Sequence, residues 1–244
     1  MSLSVVLLLA LVPAAVLGGA GKTCPAPKPT RVGCDANTYE CCDSNLQNNL
    51  NISAACGHGS IWNFPGCIRT QIGGIWQKGT AGVLEVCDAY SQFRSCLGKT
   101  LHDCTSDGYY IRSGLLGVSK AQKVQALFTE LNFMCGAGMD LYLNNDQCMS
   151  NVFQRNTTWI NHCRQQFTDN ILSDPANACK FQKELQGCVM TPFAACGFEA
   201  AWWICELERV IISSWLPQCS APCTLTQNVR GNKNFAVKNA HQEQ

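Results

Sequence analysis

The sequence predicts a mainly α-helical protein, made of short-helix bundles that disulfides staple together and arranged as two related modules in tandem. Three observations support this fold class. The chain of 244 residues contains 18 cysteines. Several stretches carry apolar residues at the three-and-four spacing of one helical face. The cysteine spacing C-x8-C-x7-C occurs twice, over 87–104 and over 179–196, which indicates an internal repeat.

Helical periodicity is clearest over 80–101, where apolar residues recur every three or four positions. A second helix is predicted from Ser119. Gln122 completes a capping-box pattern at its start, and Gly136 is a natural stop at its end.

Two more helices are predicted further along the chain. Asp174-Pro175 combines an N-cap residue with a first-turn proline and so indicates a helix start, whereas Pro192 should end or kink that helix. The last predicted helix covers 198–216 and stops before Pro217.

The repeat extends to six cysteines in each copy. Four of the six corresponding pairs are 92 positions apart, one pair is 93 apart and one is 96 apart, which indicates a duplication with a length change in one loop. Almost nothing except the cysteines matches between the copies, so the repeat preserves a covalent framework. In order, the corresponding pairs are Cys42/Cys135, Cys56/Cys148, Cys67/Cys163, Cys87/Cys179, Cys96/Cys188 and Cys104/Cys196.

The C-x8-C spacing predicts how these cysteines bond. On a helix, nine positions turn the second cysteine to about the opposite side and move it roughly 13 Å along the axis, far beyond the Cα separation of about 4.4–6.8 Å that a disulfide allows. Cys87 and Cys96 should therefore tie their helix to two different neighbours. The same holds for Cys179 and Cys188.

The N-terminus indicates secretion. Residues 1–20 hold an apolar run, no charge and small residues at their end, which is typical of a cleaved signal peptide and too short to span a membrane. In an oxidising compartment the cysteines are expected to form nine disulfides. Zinc binding by Cys41-Cys42, or by Cys219 with Cys223, is the alternative. The predicted disulfide cysteines are Cys24, Cys34, Cys41, Cys42, Cys56, Cys67, Cys87, Cys96, Cys104, Cys135, Cys148, Cys163, Cys179, Cys188, Cys196, Cys205, Cys219 and Cys223.

Two sequons predict N-linked glycans at Asn51 and Asn156, and therefore surface positions for both. The predicted organisation is a signal peptide at 1–20, a proline-rich lead-in at 21–41, module 1 at 42–134, module 2 at 135–223 and a disordered polar tail at 224–244.

Charge and motifs argue against several classes of function. Lys plus Arg total 18 and Asp plus Glu total 17, so no global field attracts nucleic acid. His102-Asp103-Cys104 resembles the His-Asp-Cys core of secreted phospholipases A2, but neither the preceding cysteine nor the upstream glycine-rich calcium loop of that family is present. No G-x-S-x-G elbow occurs. We therefore predict no enzyme, no catalytic or metal-binding residues and no cofactor.

The six tryptophans allow two interpretations. Large aromatic residues in a disulfide-dense domain usually form its core, but they also line pockets for apolar ligands. The residues that would form such a pocket are Trp62, Trp76, Trp159, Trp202, Trp203, Trp215, Phe181, Phe193 and Phe198.

With this cysteine framework and the segments CGAGMDLYLNNDQC at 135–148 and WWICELERVIISSWLPQC at 202–219, the chain resembles the secreted helical cysteine-rich proteins of invertebrates. Some of those proteins are matrix components of shells, cuticles or egg coats. The resemblance rests on cysteine spacing and general character, and it transfers no functional residue to this sequence.

The sequence thus predicts a secreted, non-enzymatic glycoprotein that serves as an extracellular matrix or interaction component. We expect matrix components as its partners, and neither nucleic acid nor a membrane span. A soluble carrier of a small apolar ligand is the alternative hypothesis, and inhibition of a hydrolase by a disulfide-locked loop is a third.

Overall fold

The computed structural model describes residues 22–28, 33–219 and 222–223. The predicted signal peptide and the predicted polar tail therefore lie outside the described residues. Within these ranges the chain is helical and has no β-strand, which confirms the predicted mainly α, disulfide-stapled fold class. The α-helices are α1 Ala36–Asn49, α2 Pro65–Trp76, α3 Thr80–Leu97, α4 Leu101–Thr105, α5 Asp107–Arg112, α6 Val118–Met134, α7 Met139–Asn144, α8 Asp146–Ser173, α9 Ala178–Phe193 and α10 Phe198–Ser213.

The helices pack in two groups that share a linking helix. Helices α1 and α2 both pack against α3, whereas α8 and α10 both pack against α9. Helix α6 contacts α2 in one group and α10 in the other, so it joins them. Among the described residues, no helix is both long enough and apolar enough to cross a bilayer.

Several helix boundaries differ from the predicted ones, and α10, for example, ends at Ser213 rather than just before Pro217. The predicted helix over 80–101 ends at Leu97, because Gly98 takes a left-handed φ of 52° and a 3₁₀ turn follows before α4. The predicted capping box at Ser119 is wrong: α6 begins one residue earlier, with Gly117 at its N-cap and no side-chain cap.

Pro192 lies in the last turn of α9, which ends one residue later at Phe193, close to the predicted end. A helical proline has no N–H to donate to the carbonyl four residues before it, which here belongs to Cys188. The indole N–H of Trp159 donates to that carbonyl at 3.1 Å. A side chain of α8 thus replaces the missing backbone donor, and the proline is tolerated.

The nine predicted disulfides form, and they use all 18 cysteines, each of which lies in the described ranges. Cys87 and Cys96 lie on α3 and bond to different neighbours, Cys135 and Cys42, as the C-x8-C spacing predicts. The same spacing on α9 gives the bonds Cys179–Cys219 and Cys163–Cys188. The other bonds are Cys24–Cys41, Cys34–Cys104, Cys56–Cys67, Cys148–Cys196 and Cys205–Cys223.

The bonding pattern does not follow the predicted duplication. If the copies bonded alike, the Cys42–Cys96 bond would have Cys135–Cys188 as its counterpart, but Cys135 bonds to Cys87 and Cys188 bonds to Cys163. One hydrophobic cluster also includes residues from both proposed modules. The division into two modules stays a prediction.

Trp203 on α10 is the centre of this shared core. It has no exposed surface, and its indole N–H donates to the Gly138 carbonyl at 2.7 Å. Four aromatic rings from α2, α6, α7 and α8 surround it, with ring centroids 5.4–6.2 Å away: Trp76, Phe133, Tyr142 and Phe153. The burial of Trp203 therefore holds elements from both halves of the chain together.

Two ion-paired carboxylates lie in the interior, where the helical pattern predicted none. Glu208 on α10 has a side chain only 3% exposed, and one of its oxygens accepts hydrogen bonds from Arg164 Nε at 2.9 Å and Nη2 at 2.5 Å. Glu130 on α6 accepts one hydrogen bond, from Nε of Arg69 on α2. Each pair joins two helices, and the cationic partner offsets the cost of burying the carboxylate.

We expect Arg164→Met to destabilise the protein by about 3–5 kcal/mol, because it leaves the Glu208 carboxylate buried without its partner. Chemical unfolding of the oxidised protein, followed by far-ultraviolet circular dichroism, measures this change. The matched control is Lys180→Ala, which breaks the exposed Lys180–Glu184 pair and should change the free energy of unfolding by less than about 0.5 kcal/mol. Equal effects from the two variants would contradict the prediction.

Candidate binding groove

An apolar and basic groove lies where the N-terminus of α2 meets the N-terminus of α6. Its volume is about 680 Å³. We call it the Phe64 groove. Its lining residues are Asn63, Phe64, Pro65, Gly66, Cys67, Gly117, Val118, Ser119, Lys120 and Lys123.

The lining combines exposed apolar surface with positive charge. Phe64 is 47% exposed and Val118 is 56% exposed. Lys120 and Lys123 lie one turn apart on α6, and no acidic side chain lines the groove. Burying the apolar residues against a partner is favourable, by roughly 25 cal/mol per Å² of apolar surface. The two ammonium groups favour a partner that carries negative charge.

Hydrogen bonds to side chains of α1 fix the turn that presents Phe64. Asp43 accepts a hydrogen bond from the Ile61 N–H at 2.9 Å, and Gln47 donates to the Gly59 carbonyl at 3.1 Å. Within the turn, the N–H of Phe64 donates to the Ser60 carbonyl at 3.1 Å. Buried side chains of α1 therefore set the position of the exposed phenylalanine.

Trp62 and a disulfide fix the same turn from its two ends. The Trp62 ring stacks on Tyr39 of α1, with 4.4 Å between ring centroids. The Cys56–Cys67 bond ties the 3₁₀ turn before the groove to the first turn of α2. Phe64 thus lies between two anchored points of the chain, and its aromatic surface is held out to solvent by a rigid support.

Burial dominates the electrostatics of Asp43, which is 1% exposed. Its removal from water raises the pKa of this carboxyl to about 6, although hydrogen bonds from Gln47 and from the Ile61 N–H act in the opposite direction. No cation contributes to this shift. Asp43 therefore acts as a hydrogen-bond acceptor for the turn, at an electrostatic cost that grows as the carboxyl ionises.

A second cavity of about 540 Å³ lies beneath residues 22–28, which we call the strap. The Cys24–Cys41 disulfide ties the strap to α1, and Asn45 holds it with two hydrogen bonds to the backbone of Lys22, at 3.1 and 2.7 Å. Residues of α1 and α3 form the cavity floor, among them Leu46, Phe93 and the Cys42–Cys96 disulfide.

The zinc alternative does not fit the structure. Cys41 and Cys42 bond to different partners, and so do Cys219 and Cys223. A zinc ligand must be a thiolate, which a disulfide sulfur is not.

The two sequons lie at different places in the fold. Asn51 is exposed just after α1 and has a left-handed φ of 51°. Asn156 is half-buried in an irregular turn within α8, where its amide donates to the Val152 carbonyl at 3.1 Å. Thr158, the hydroxyl residue of the second sequon, is exposed.

The predicted aromatic pocket is not assembled. Trp62, Trp76, Trp203 and Phe193 are buried core residues, whereas Trp159 and Phe198 are exposed at the surface. None of the predicted wall residues lines either of the two cavities. The interpretation of the tryptophans as core is therefore correct for the three that are buried.

The His102-Asp103-Cys104 motif lies within α4, and Cys104 bonds to Cys34 of the lead-in. Gly33 lies so close to Asp103 that a Cβ on this glycine, whose φ is 87°, would lie 2.7 Å from the carboxyl carbon. The motif thus occupies a packed junction between α4 and the lead-in.

The Phe64 groove was not predicted from the sequence. Lys120 and Lys123 lie outside the apolar periodicity of their helix, and Phe64 belongs to no periodic pattern. The groove exists because tertiary packing brings the starts of two helices together.

Comparison with known proteins found no matching family model, no matching curated protein and no matching solved structure.

The raised pKa of Asp43 predicts that this group stabilises the protein more at low pH than at neutral pH. Its folded-state pKa of about 6 exceeds the ordinary aspartate value of 3.8, so the stabilisation is complete below about pH 4 and is lost as the pH rises through 6. We expect about 2 kcal/mol more stability from this group at pH 4.5 than at pH 7.5. Urea unfolding of the protein and of Asp43→Asn at both pH values isolates this contribution.

The control for this experiment is Asp146→Asn. A hydrogen bond from the Thr80 hydroxyl lowers the pKa of Asp146, so that carboxylate stabilises the protein at neutral pH and its contribution is lost in acid. That loss occurs below about pH 4, so Asp146→Asn should leave the stability difference between pH 4.5 and pH 7.5 nearly unchanged, whereas Asp43→Asn should remove about 2 kcal/mol of it. An equal change in this difference for both variants would contradict the assignment of Asp43.

We expect both sequons to carry glycans when the chain is made in secretory cells. Peptide N-glycosidase should then lower the mass of the secreted protein by two glycans. Thr158→Ala and Asn51→Gln should each remove one glycan, whereas Ser53→Thr, which keeps its sequon intact, should remove none. A single glycan in the unaltered protein would contradict this prediction.

Proposed function

We propose that the protein is a secreted, non-enzymatic glycoprotein that acts as an extracellular interaction component, with the Phe64 groove as its contact site. The observation that carries the proposal is the exposed pair Phe64 and Val118 beside Lys120 and Lys123, on a turn that buried hydrogen bonds and a disulfide hold rigid. Nine disulfides are compatible with an extracellular location. A role in a shell, cuticle or egg-coat matrix is supported by the resemblance in cysteine framework alone.

The charge of the groove defines the chemistry of its partner. The lining contains two lysines and no acid, so a protein segment that carries carboxylates next to apolar side chains is complementary to it. The apolar residues would supply most of the affinity, and the lysines would speed association and select against basic partners. We therefore propose an acidic, apolar segment of a matrix protein as the occupant.

The groove is preorganised for such a contact. Asp43, Gln47 and the Cys56–Cys67 bond fix the turn before any partner arrives, so binding does not have to order it. Rigid presentation of an aromatic anchor lowers the entropic cost of association. This property suits a structural contact that must persist outside the cell.

A carrier of a small apolar ligand is the second candidate, because a volume of about 680 Å³ is typical of small-molecule pockets. Its ligand would be an amphiphile with an alkyl chain and one anionic group, since the lysines border the apolar lining. The tryptophans play no part in this version of the hypothesis, because none of them lines the groove.

Fluorescence anisotropy of two labelled peptides tests the proposed contact. One peptide alternates glutamate and leucine, and the other alternates lysine and leucine. We expect binding of the acidic peptide only, about tenfold weaker for Phe64→Ala and for Lys120→Glu/Lys123→Glu. Binding should also weaken with salt in the parent protein and much less in the charge-reversed variant.

Lys183→Glu is the matched control, since it reverses an exposed lysine of α9 remote in sequence from the groove. It should leave peptide binding unchanged. Equal affinity for both peptides, or an equal loss in Lys183→Glu, would contradict the proposal. Saturable binding of oleate, with no binding of either peptide, would support the carrier instead.

A further inference from the structure

Two disulfides meet beneath the strap. Cys24 Sγ, which is bonded to Cys41, lies within 4.8 Å of both sulfurs of the Cys42–Cys96 bond. In the described part of the chain, no other three cysteine, histidine or acidic side chains bring their ligand atoms so close together. Three sulfurs of two different disulfides are therefore within a short side-chain movement of each other.

The two bonds differ in their access to solvent. Cys24 and Cys41 are partly exposed, and so is Cys96, whereas Cys42 has no exposed surface. Cys24, Cys42 and Cys96 all line the cavity of about 540 Å³ beneath the strap. A small thiol has room to enter this cavity, and the strap disulfide is the more accessible target.

We propose that Cys24, Cys41, Cys42 and Cys96 form a thiol–disulfide exchange site, with an external thiol as its co-substrate. This inference is independent of the partner proposed for the Phe64 groove. In the first step, the external thiolate attacks Cys41 Sγ. A mixed disulfide forms on Cys41, the Cys24–Cys41 bond breaks, and Cys24 leaves with the electron pair as a thiolate.

Asn45 assists this step. Its Nδ2 lies 3.2 Å from Cys24 Sγ, in position to donate a hydrogen bond to the sulfur that becomes negatively charged. Stabilisation of a leaving thiolate makes it leave faster. Asn45 is a positioning residue as well, since it also holds the backbone of Lys22.

In the second step, the Cys24 thiolate attacks Cys42 Sγ. A Cys24–Cys42 bond forms, the Cys42–Cys96 bond breaks, and Cys96 leaves as a thiolate. This direction is favoured over attack on Cys96, because the charge then develops on the partly exposed sulfur rather than on the fully buried one. A second external thiolate removes the first from Cys41 and forms an external disulfide.

Atoms and electrons balance over these steps. Two external thiols become one disulfide, and the protein exchanges two disulfides for one disulfide and two thiols, at Cys41 and Cys96, which take up the two protons. The strap remains attached to α1, now through a Cys24–Cys42 bond instead of the Cys24–Cys41 bond. The staple between α1 and α3 is lost, so the site couples the strap to the packing of these two helices.

The variant Cys41→Ser tests the second step without external thiol. Cys24 is then left as a free thiol beside the Cys42–Cys96 bond. After acid quenching and labelling with N-ethylmaleimide, tryptic digestion places Cys24 in peptide 23–31, Cys42 in 32–69 and Cys96 in 95–99. We expect most of the label on 95–99, with 23–31 disulfide-linked to 32–69. Label confined to 23–31 would overturn the proposal.

Cys67→Ser is the matched control, because Cys56 then has a free thiol with no such sulfur cluster around it. Its label should stay within peptide 32–69.

A second measurement uses the unaltered protein, treated with 2-mercaptoethanol under native conditions, so the test does not depend on the folding of a variant. Tandem mass spectrometry should find label on Cys41 and Cys96. Label on Cys24 and Cys41, or on Cys42 and Cys96, would show simple reduction and overturn the proposal.

Discussion

The fold depends on a geometric constraint: two cysteines nine positions apart on a helix point to opposite sides, so each helix that carries them is held from two sides. Helix α3 is bonded to α1 through Cys96 and to the end of α6 through Cys87. Helix α9 is bonded to α8 and to the segment after α10. Cross-links of this kind stabilise mainly by restricting the unfolded chain, which leaves the intervening sequence free to vary.

This constraint explains how much could be predicted from the sequence. The helical class, the number of disulfides and the prohibition of Cys87–Cys96 and Cys179–Cys188 all follow from local spacing, and the structure confirms them. The actual partners could not be predicted, because they depend on which helices pack together. The bonding pattern also crosses between the proposed copies at Cys87–Cys135, which no comparison of spacings would indicate.

The groove and the buried charges needed tertiary information for the same reason. Glu208 occupies a polar position in the periodicity of α10, and only the approach of Arg164 from α8 makes its burial tolerable. No pattern in the sequence marks Asp43 as buried, but it lies under the turn that presents Phe64. In both cases, a polar residue inside the fold positions a neighbouring element, and its partner is distant in sequence.

The adjacent cysteines of α1 show how one local rule has a consequence for reactivity. Neighbouring helical residues point about 100° apart, so Cys41 faces the strap while Cys42 faces α3. The two disulfides start from neighbouring Cα atoms, so they remain close to each other. The sulfur of Cys24 therefore lies near the Cys42–Cys96 bond. A helix that is bonded on two faces by adjacent residues thus places two disulfides close together. At Cys41 and Cys42, the same two residues cross-link the helix and provide the proposed exchange site.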